Sequence, residues 1–450
     1  MKVKRKTRRQ RRKNNTKRVI RGGKVIDSGG YGCVFKPALK CRSINPSTTT
    51  QSNSLSQRVV YVSKLMTERD ATEEYNLLNN FSNIITKSRK ENMFQFMVLS
   101  GITMCRISPT EEDKEEYSKQ CSRLVEKNGV SSITELVSLN VPYAGKNLLK
   151  MFNELRFQNS VLNRGLMIDY FKRMESLFQG GVLLLYETTP KIIHGDIKEE
   201  NMLCQYSETF TSIYDNIKLI DWGLSFTYNS SNHENQIEAA VNQISRRPLQ
   251  FNLPFGVLLF SNYFYQKYKS DVLIPLRSDP KSNLINLVET FCNNYYDDSF
   301  FKNGKDDSKA DSLKDFNTFV YMVMGEADSS ILRISLPSYI RANLFKILIK
   351  YTRNGRFDKY KFAYDYYLPM VDTYGFILTY GNVLSYLLQA RRNMYRMSRT
   401  ININQLIQKI TENLKVYCLE FNETIDGYKY RKNVSASINE MTKLCEDLLK

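Results

Sequence analysis

The spacing of apolar residues changes character near Gly145. Before it, short apolar runs dominate. Lys24 to Lys36 reads as strand, glycine turn, strand, and Val59-Val60-Tyr61-Val62 as a further strand. The runs Met93 to Ile107 and Ile133 to Val141 predict two more strands, with the charged stretch Glu111 to Glu126 between them expected as a solvated insertion. One helix is predicted over Glu68 to Phe81, where Tyr75, Leu78 and Phe81 fall on one face. After Gly145 the period lengthens. Met167, Phe171, Met174 and Phe178 recur at spacings of four, three and four, as an amphipathic helix requires. Short strands are expected near Ile192 and Ile217, a strongly apolar helix over Met370 to Leu388, and two amphipathic helices at the C-terminus. The pattern therefore predicts an α+β chain with a small β-rich lobe, a hinge and a large α-rich lobe carrying insertions.

Composition refines this picture in two places. The polar stretch Ser43 to Gln57 predicts a long surface loop. The net charge of +19 is concentrated: residues 1–24 hold thirteen Lys and Arg and no acid, leaving +6 for the remaining 426 residues. This arm, 1–24, lacks apolar periodicity and is expected to be disordered. A solubilising or localisation tail is its preferred reading; nonspecific nucleic-acid binding, without aromatic residues for base stacking, is the other. No apolar run reaches the roughly 18 residues a membrane span needs, and the charged N-terminus does not resemble a secretory signal. The eight cysteines contain no C-x-x-C pair, and reduced thiols in an intracellular, cytoplasm-like compartment are expected.

Three segments carry candidate chemistry. Ile26 to Val34 holds Gly29, Gly30 and Gly32, and glycines allow backbone amides to approach phosphates closely. Lys64, on the strand after Tyr61, offers a fixed cation, with Glu74 on the following helix as its orienting carboxylate. The strongest signal is His194-Gly195-Asp196-Ile197-Lys198-Glu199-Glu200-Asn201 followed by Leu219-Ile220-Asp221-Trp222-Gly223. Phosphoryl transfer needs a carboxylate to align the attacking hydroxyl, oxygen ligands for magnesium and a cation against the moving phosphoryl group. Asp196, the pair Asn201 and Asp221, and Lys198 supply these in turn.

These landmarks, in this order, resemble the protein kinase family of serine/threonine type. The resemblance covers about residues 24–390. It implies a two-lobed kinase-like fold, an N-lobe over 25–142, a C-lobe over 143–450 and an insertion at about 256–370. It implies ATP and Mg2+ as cofactors, with a protein substrate carrying Ser or Thr. Ile26, Gly29, Gly30, Gly32, Val34, Lys64, Glu74, Val141 and Tyr143 would serve ATP, the last two from the hinge Leu139 to Gly145. Asp196 and Lys198 would be catalytic, and Asn201 and Asp221 would hold metal. Val371 to Phe376 resembles the helix whose aspartate, here Asp372, anchors the catalytic loop. The basic leader, the phrase Gly32 to Pro37 and the terse C-lobe are similar to kinases of large DNA viruses, which implies host cytoplasm and the virion as locations.

Four positions depart from the family pattern. Asp27 stands where the loop's first glycine is usual, and Trp222 replaces the phenylalanine after the magnesium aspartate. Gly195 replaces an arginine that pairs with a phosphorylated activation loop, so activity independent of such phosphorylation is expected. Leu253-Pro254-Phe255 occupies the place of Ala-Pro-Glu without its glutamate. Two other functions stay open on the sequence: a small-molecule phosphotransferase, which also suits His-Gly-Asp, and a kinase-like scaffold without catalysis.

Overall fold

The computed structural model describes residues 22–29, 32–42, 59–157, 162–229, 234–245, 250–279, 281–297, 323, 329–396, 403–419 and 426–450. The basic arm up to residue 21, the polar stretch 43–58, and residues 298–322 and 324–328 of the insertion lie outside these. The chain is α+β and divides into two compact units. One takes the chain to Tyr75 together with Gly101–Tyr143; the other takes Asn76–Ser100 and Ala144–Lys450.

The first unit is built on a five-stranded antiparallel sheet of order β1-β2-β3-β5-β4. Its strands are β1 (Lys24–Gly29), β2 (Gly32–Lys36), β3 (Tyr61–Met66), β4 (Thr103–Arg106) and β5 (Val137–Pro142). In β3, Val62, Leu65 and Met66 are buried, and Lys64 lies opposite Val34 of β2 and Leu139 of β5. The predicted strand over Met93 to Ile107 shrinks to β4, because Glu91–Gln95 coils into a 3-10 turn. Ile133–Glu135 likewise forms a 3-10 turn before β5 begins. Helix α1 (Glu68–Lys87) starts with Glu68 and Asp70 and ends with Lys87, charges that suit the helix dipole at each end.

The stretch expected as a solvated insertion is instead part of the core. It forms α2 (Glu111–Gln120) and α3 (Ser122–Asn128), and Tyr117, Cys121 and Leu124 pack with Phe35, Leu39, Leu65 and Ile107. Glu111, Glu112, Glu115 and Glu126 stay exposed, which is why the segment reads as polar, while Asp113 is buried at the helix cap. A capping box starts α2: Thr110 Oγ1 accepts from the Asp113 amide, and Asp113 accepts from the Thr110 amide. The amides of Gly22 and Gly23, which the sequence assigns to the arm, donate to Glu112 and Asp113 at 3.0 and 2.7 Å.

The cysteines correct a second expectation. Cys33 of β2 is joined to Cys121, and Cys41 to Cys105 of β4, across 88 and 64 residues of chain. Such pairings have no local spacing to betray them; the sheet and the α2–α3 corner create them. Two disulfides do not fit the reducing, cytoplasm-like compartment expected from the sequence, since such bonds persist in oxidising surroundings. Cys204, Cys292, Cys418 and Cys445 are free and buried. Among the described residues no helix is long and apolar enough to cross a membrane.

The second unit is mainly helical. Its core includes α4 (Leu148–Phe157) and α5 (Arg164–Leu177), in which Met167, Tyr170, Phe171 and Met174 are buried. The short strands expected near Ile192 and Ile217 are β7 (Lys191–Ile193), paired with β10 (Phe226–Tyr228), and β9 (Lys218–Leu219), paired with β8 (Met202–Cys204). β8 also pairs with β6 (Lys146–Asn147). The apolar helix predicted over Met370 to Leu388 is two helices, Leu368–Leu378 and Tyr380–Arg396. They part at Thr379, whose hydroxyl donates to the Phe376 carbonyl at 2.7 Å. Every residue of Leu368–Leu378 is buried, and it is called the anchor helix below. Asn404–Leu414 and Gly427–Leu449 are the two closing helices. The described part of the insertion gathers Phe264, Tyr268, Phe291, Tyr295 and Phe357 into an aromatic cluster. The hairpin of β11 (Thr352–Arg353) and β12 (Arg356–Phe357) brings Phe357 to it.

Candidate functional site

Within the first unit, Lys64 and Glu74 form an ion pair: Lys64 Nζ donates to Glu74 Oε1 at 2.8 Å and Oε2 at 2.6 Å. Both side chains are mostly buried, at 23% and 14% exposed, so the pair is more sheltered than the surface ion pairs nearby. Gly32 packs closely against it. A Cβ there would come within 3.2 Å of Lys64 Cγ and of the Leu65 carbonyl. Gly29 faces open space and carries no such constraint, and Gly30 lies outside the described residues. Asp27 is exposed, with Oδ1 accepting from the Ser28 amide at 2.9 Å.

The remaining first-unit positions are Ile26, Val34, Val141 and Tyr143. Ile26 is exposed at a break in the β1–β2 register, and Val34 and Val141 are half-buried on β2 and β5. The Tyr143 amide donates to the Val60 carbonyl at 2.8 Å, so a base could meet this residue only through its ring or carbonyl. Lys36 Nζ already sits 3.3 Å from the centre of that ring.

Within the second unit, the loop after β7 is held from both ends. The His194 and Gly195 amides donate to Asp372 Oδ2 and Oδ1 at 2.8 and 2.6 Å. Gly195 has φ of 71°, where glycine is favoured. Gly375, one turn along the anchor helix from Asp372, is also constrained, because a Cβ would come 2.6 Å from the Ile197 carbonyl. The His194 ring bridges the two motif segments. Its Nδ1 accepts from the Asp196 amide at 3.3 Å, which leaves Nε2 to donate to the Ile220 carbonyl at 3.0 Å. Its ring centre lies 4.6 Å from that of Trp222, which in turn is 5.6 Å from Phe81.

Asp196 is the centre of this arrangement and is 4% exposed. Oδ2 accepts from Lys198 Nζ and Asn201 Nδ2, each at 3.0 Å; Oδ1 accepts from Asn252 Nδ2 at 2.8 Å. Burial alone would raise its carboxyl. The Lys198 charge, the Asn252 hydrogen bond and the Lys198 hydrogen bond outweigh burial and hold it below the usual carboxylate range. Both oxygens are thereby oriented and the group stays ionised at neutral pH. Asn252 also reaches the Ile197 carbonyl at 3.2 Å.

Asn201 and Asp221 sit next to each other in the strand framework. Met202 pairs with Leu219, and the Ile220 amide donates to the Asn201 carbonyl at 3.0 Å. Asn201 spends its amide hydrogens on Asp196, so its Oδ1 receives no hydrogen bond among the described residues. The Asp221 carboxylate is exposed and has no ion-pair partner among them. Its backbone φ of 62° is a conformation that non-glycine residues adopt at a cost of about 1 kcal/mol or more. Two free oxygen ligands on adjoining strand ends suit a hard cation such as Mg2+, which takes few protein ligands and keeps waters.

Sequence reasoning missed two groups. Asn252 stands beside the Leu253-Pro254-Phe255 segment and has no motif spacing of its own. Glu199 is half-buried and its carboxyl is pushed up to about 7, first by burial and then by Glu200; Asn382 Nδ2 donates to it at 2.7 Å. Asn382 also accepts from Arg156 at 2.7 Å, so these hydrogen bonds tie α4 to the 194–201 segment. No protein-family model matches the chain, and no curated protein matches it.

Proposed function

We propose that the chain is an ATP- and Mg2+-dependent protein kinase that transfers the γ-phosphoryl group to Ser or Thr hydroxyls of protein substrates, on a two-lobed kinase-like fold. The observation that carries this reading is the Asp196 carboxylate, fixed by Lys198, Asn201 and Asn252 on a loop whose amides are clamped by Asp372. A carboxylate oriented on both oxygens and kept ionised is suited to align a substrate hydroxyl and accept its proton. Lys198, half-exposed beside it, would offset charge on the transferring phosphoryl group. Asn201 and Asp221 would hold the metal, whose part is to neutralise the phosphate oxygens. Lys64, oriented by Glu74, would contact the α- and β-phosphates, with Gly29, Gly30 and Gly32 over them and Ile26, Val34, Val141 and Tyr143 beside the base.

The reading is tested with purified chain, γ-labelled ATP, Mg2+ and a mixed pool of acidic and basic proteins. Label should enter protein, and Asp196→Ala should lower kcat by at least ~10²-fold. Label entering only small hydroxyl compounds would replace it by a small-molecule phosphotransferase. ATP binding without turnover would leave a scaffold.

A further inference from the structure

The second unit contains a cavity of about 710 Å³ that the catalytic apparatus does not use. Its wall includes Tyr186, Lys191, Lys350, Asp365, Pro369 and Arg431. Lys191 and Arg431 share one aromatic ring: Lys191 Nζ lies 4.1 Å and the Arg431 guanidinium carbon 3.5 Å from the centre of Tyr186. Both cations are half-buried, and the hydrogen bonds that hold them go to backbone carbonyls. Lys191 donates to Tyr186 O at 2.8 Å and Arg431 to Pro369 O at 3.0 Å.

Neither has a carboxylate partner among the described residues, although three carboxylates line the same cavity. Each of those is engaged elsewhere. Glu187 pairs with Lys90 at 2.7 Å, Asp365 pairs with Lys361 at 2.7 Å, and Asp426 caps the last helix by accepting from the Lys429 amide at 2.8 Å. Lys191 registers the strain of this arrangement. Burial first, and then repulsion from Arg431, lowers its ammonium below the ordinary lysine range against the pull of Glu187. Lys350 also lines the cavity, and Lys432, which is exposed, adds a fourth cation.

We propose that this cavity binds a small molecule bearing a polyphosphate group. Partly desolvated like charges without counter-ions destabilise a fold, and an anion of several charges would remove that cost. Phosphate rather than a single carboxylate fits two observations: the guanidinium fork can take two oxygens while the ammonium takes a third, and the volume is that of a small-molecule site. Position gives the site a consequence. Lys191 belongs to β7, which leads directly into His194 and Asp196, and Pro369 lies on the anchor helix three residues before Asp372. The anion would thus be held by β7 through Lys191 and by the last helix through Arg431, whose guanidinium rests on the anchor helix at the Pro369 carbonyl. The inference does not depend on the kinase reading, since every residue it uses lies outside that apparatus.

Titration calorimetry of the full chain with inorganic tripolyphosphate tests it. Saturable binding of one equivalent is expected for the wild type and for Lys64→Met, which separates this cavity from the proposed nucleotide site. Arg431→Gln should weaken that binding by about tenfold or more, the usual loss for a hydrogen bond to a charged group. Lys432→Gln, at an exposed position where folding is not at risk, should weaken it about two- to fourfold. Absence of saturable binding, or unchanged affinity in both Arg431→Gln and Lys432→Gln, would overturn the proposal. Heat that vanishes with salt identically in all variants would assign the anion to the basic arm and overturn it equally.

Discussion

The Asp372 carboxylate accepts the amides of His194 and Gly195 across 178 residues of chain, one amide on each oxygen. All the groups involved are buried, so amides left without the carboxylate lose their acceptor in a desolvated site. Asp372→Ala should therefore cost about 1–3 kcal/mol for each donor left unpaired and release the loop that carries Asp196. Urea unfolding should show a lower midpoint, and phosphoryl transfer should fall with it. A variant with wild-type stability would show that the two amides find other acceptors.

Asn252 is a positioning residue for Asp196. Asn252→Ala removes the hydrogen bond to Oδ1 while Lys198 and Asn201 keep Oδ2. A fall in kcat of about ten- to a hundredfold is expected with KM for ATP little changed. A rise in KM without loss of kcat would place Asn252 in nucleotide binding instead. Asn252→Asp should be worse than Ala, because it sets a second carboxylate against the first.

Trp222, the only tryptophan, is buried between His194 and Phe81, and its Nε1 has no hydrogen-bond partner among the described residues. Trp222→Phe loses ring volume and removes an unsatisfied donor, two effects of opposite sign. A net stability change within about 1.5 kcal/mol and near-normal activity are expected, whereas Trp222→Ala should cost about 3–5 kcal/mol. Chemical denaturation followed by circular dichroism distinguishes these, since tryptophan fluorescence is lost in both variants.

The disulfides are countable. Denatured chain without reductant should present four thiols, those of Cys204, Cys292, Cys418 and Cys445, and eight after reduction. Closing loops of 88 and 64 residues stabilises by about 4–5 kcal/mol each in the chain-entropy account, less when one loop is nested in the other. Reduction should accordingly lower the melting temperature of the first unit. Eight thiols without reductant would contradict both bridges.

How much of this was legible in the chain depended on contiguity. His194 to Asn201 and Leu219 to Gly223 could be read because the groups they supply are neighbours in sequence, and the α+β pattern because period two gives way to period 3.6. Asn252 could not, for its partner lies 56 residues away and a lone asparagine carries no periodic signal. The α2–α3 corner reads as solvated because its acids outnumber the few residues, Tyr117, Cys121 and Leu124, that enter the core. The cysteine pairs were invisible for the same reason as Asn252: tertiary pairing, and not spacing, brings them together.

The proposed kinase activity requires that Lys64 and Asp221 serve one Mg2+–triphosphate. It is tested most directly by a double-mutant cycle on Mg-ATP affinity, using Lys64→Met, Asp221→Asn and the pair. The account predicts non-additivity of about 1 kcal/mol or more, as for residues acting on one ligand. Losses that add to within about 0.5 kcal/mol would mean that the two side chains act independently, and the assignment would fail.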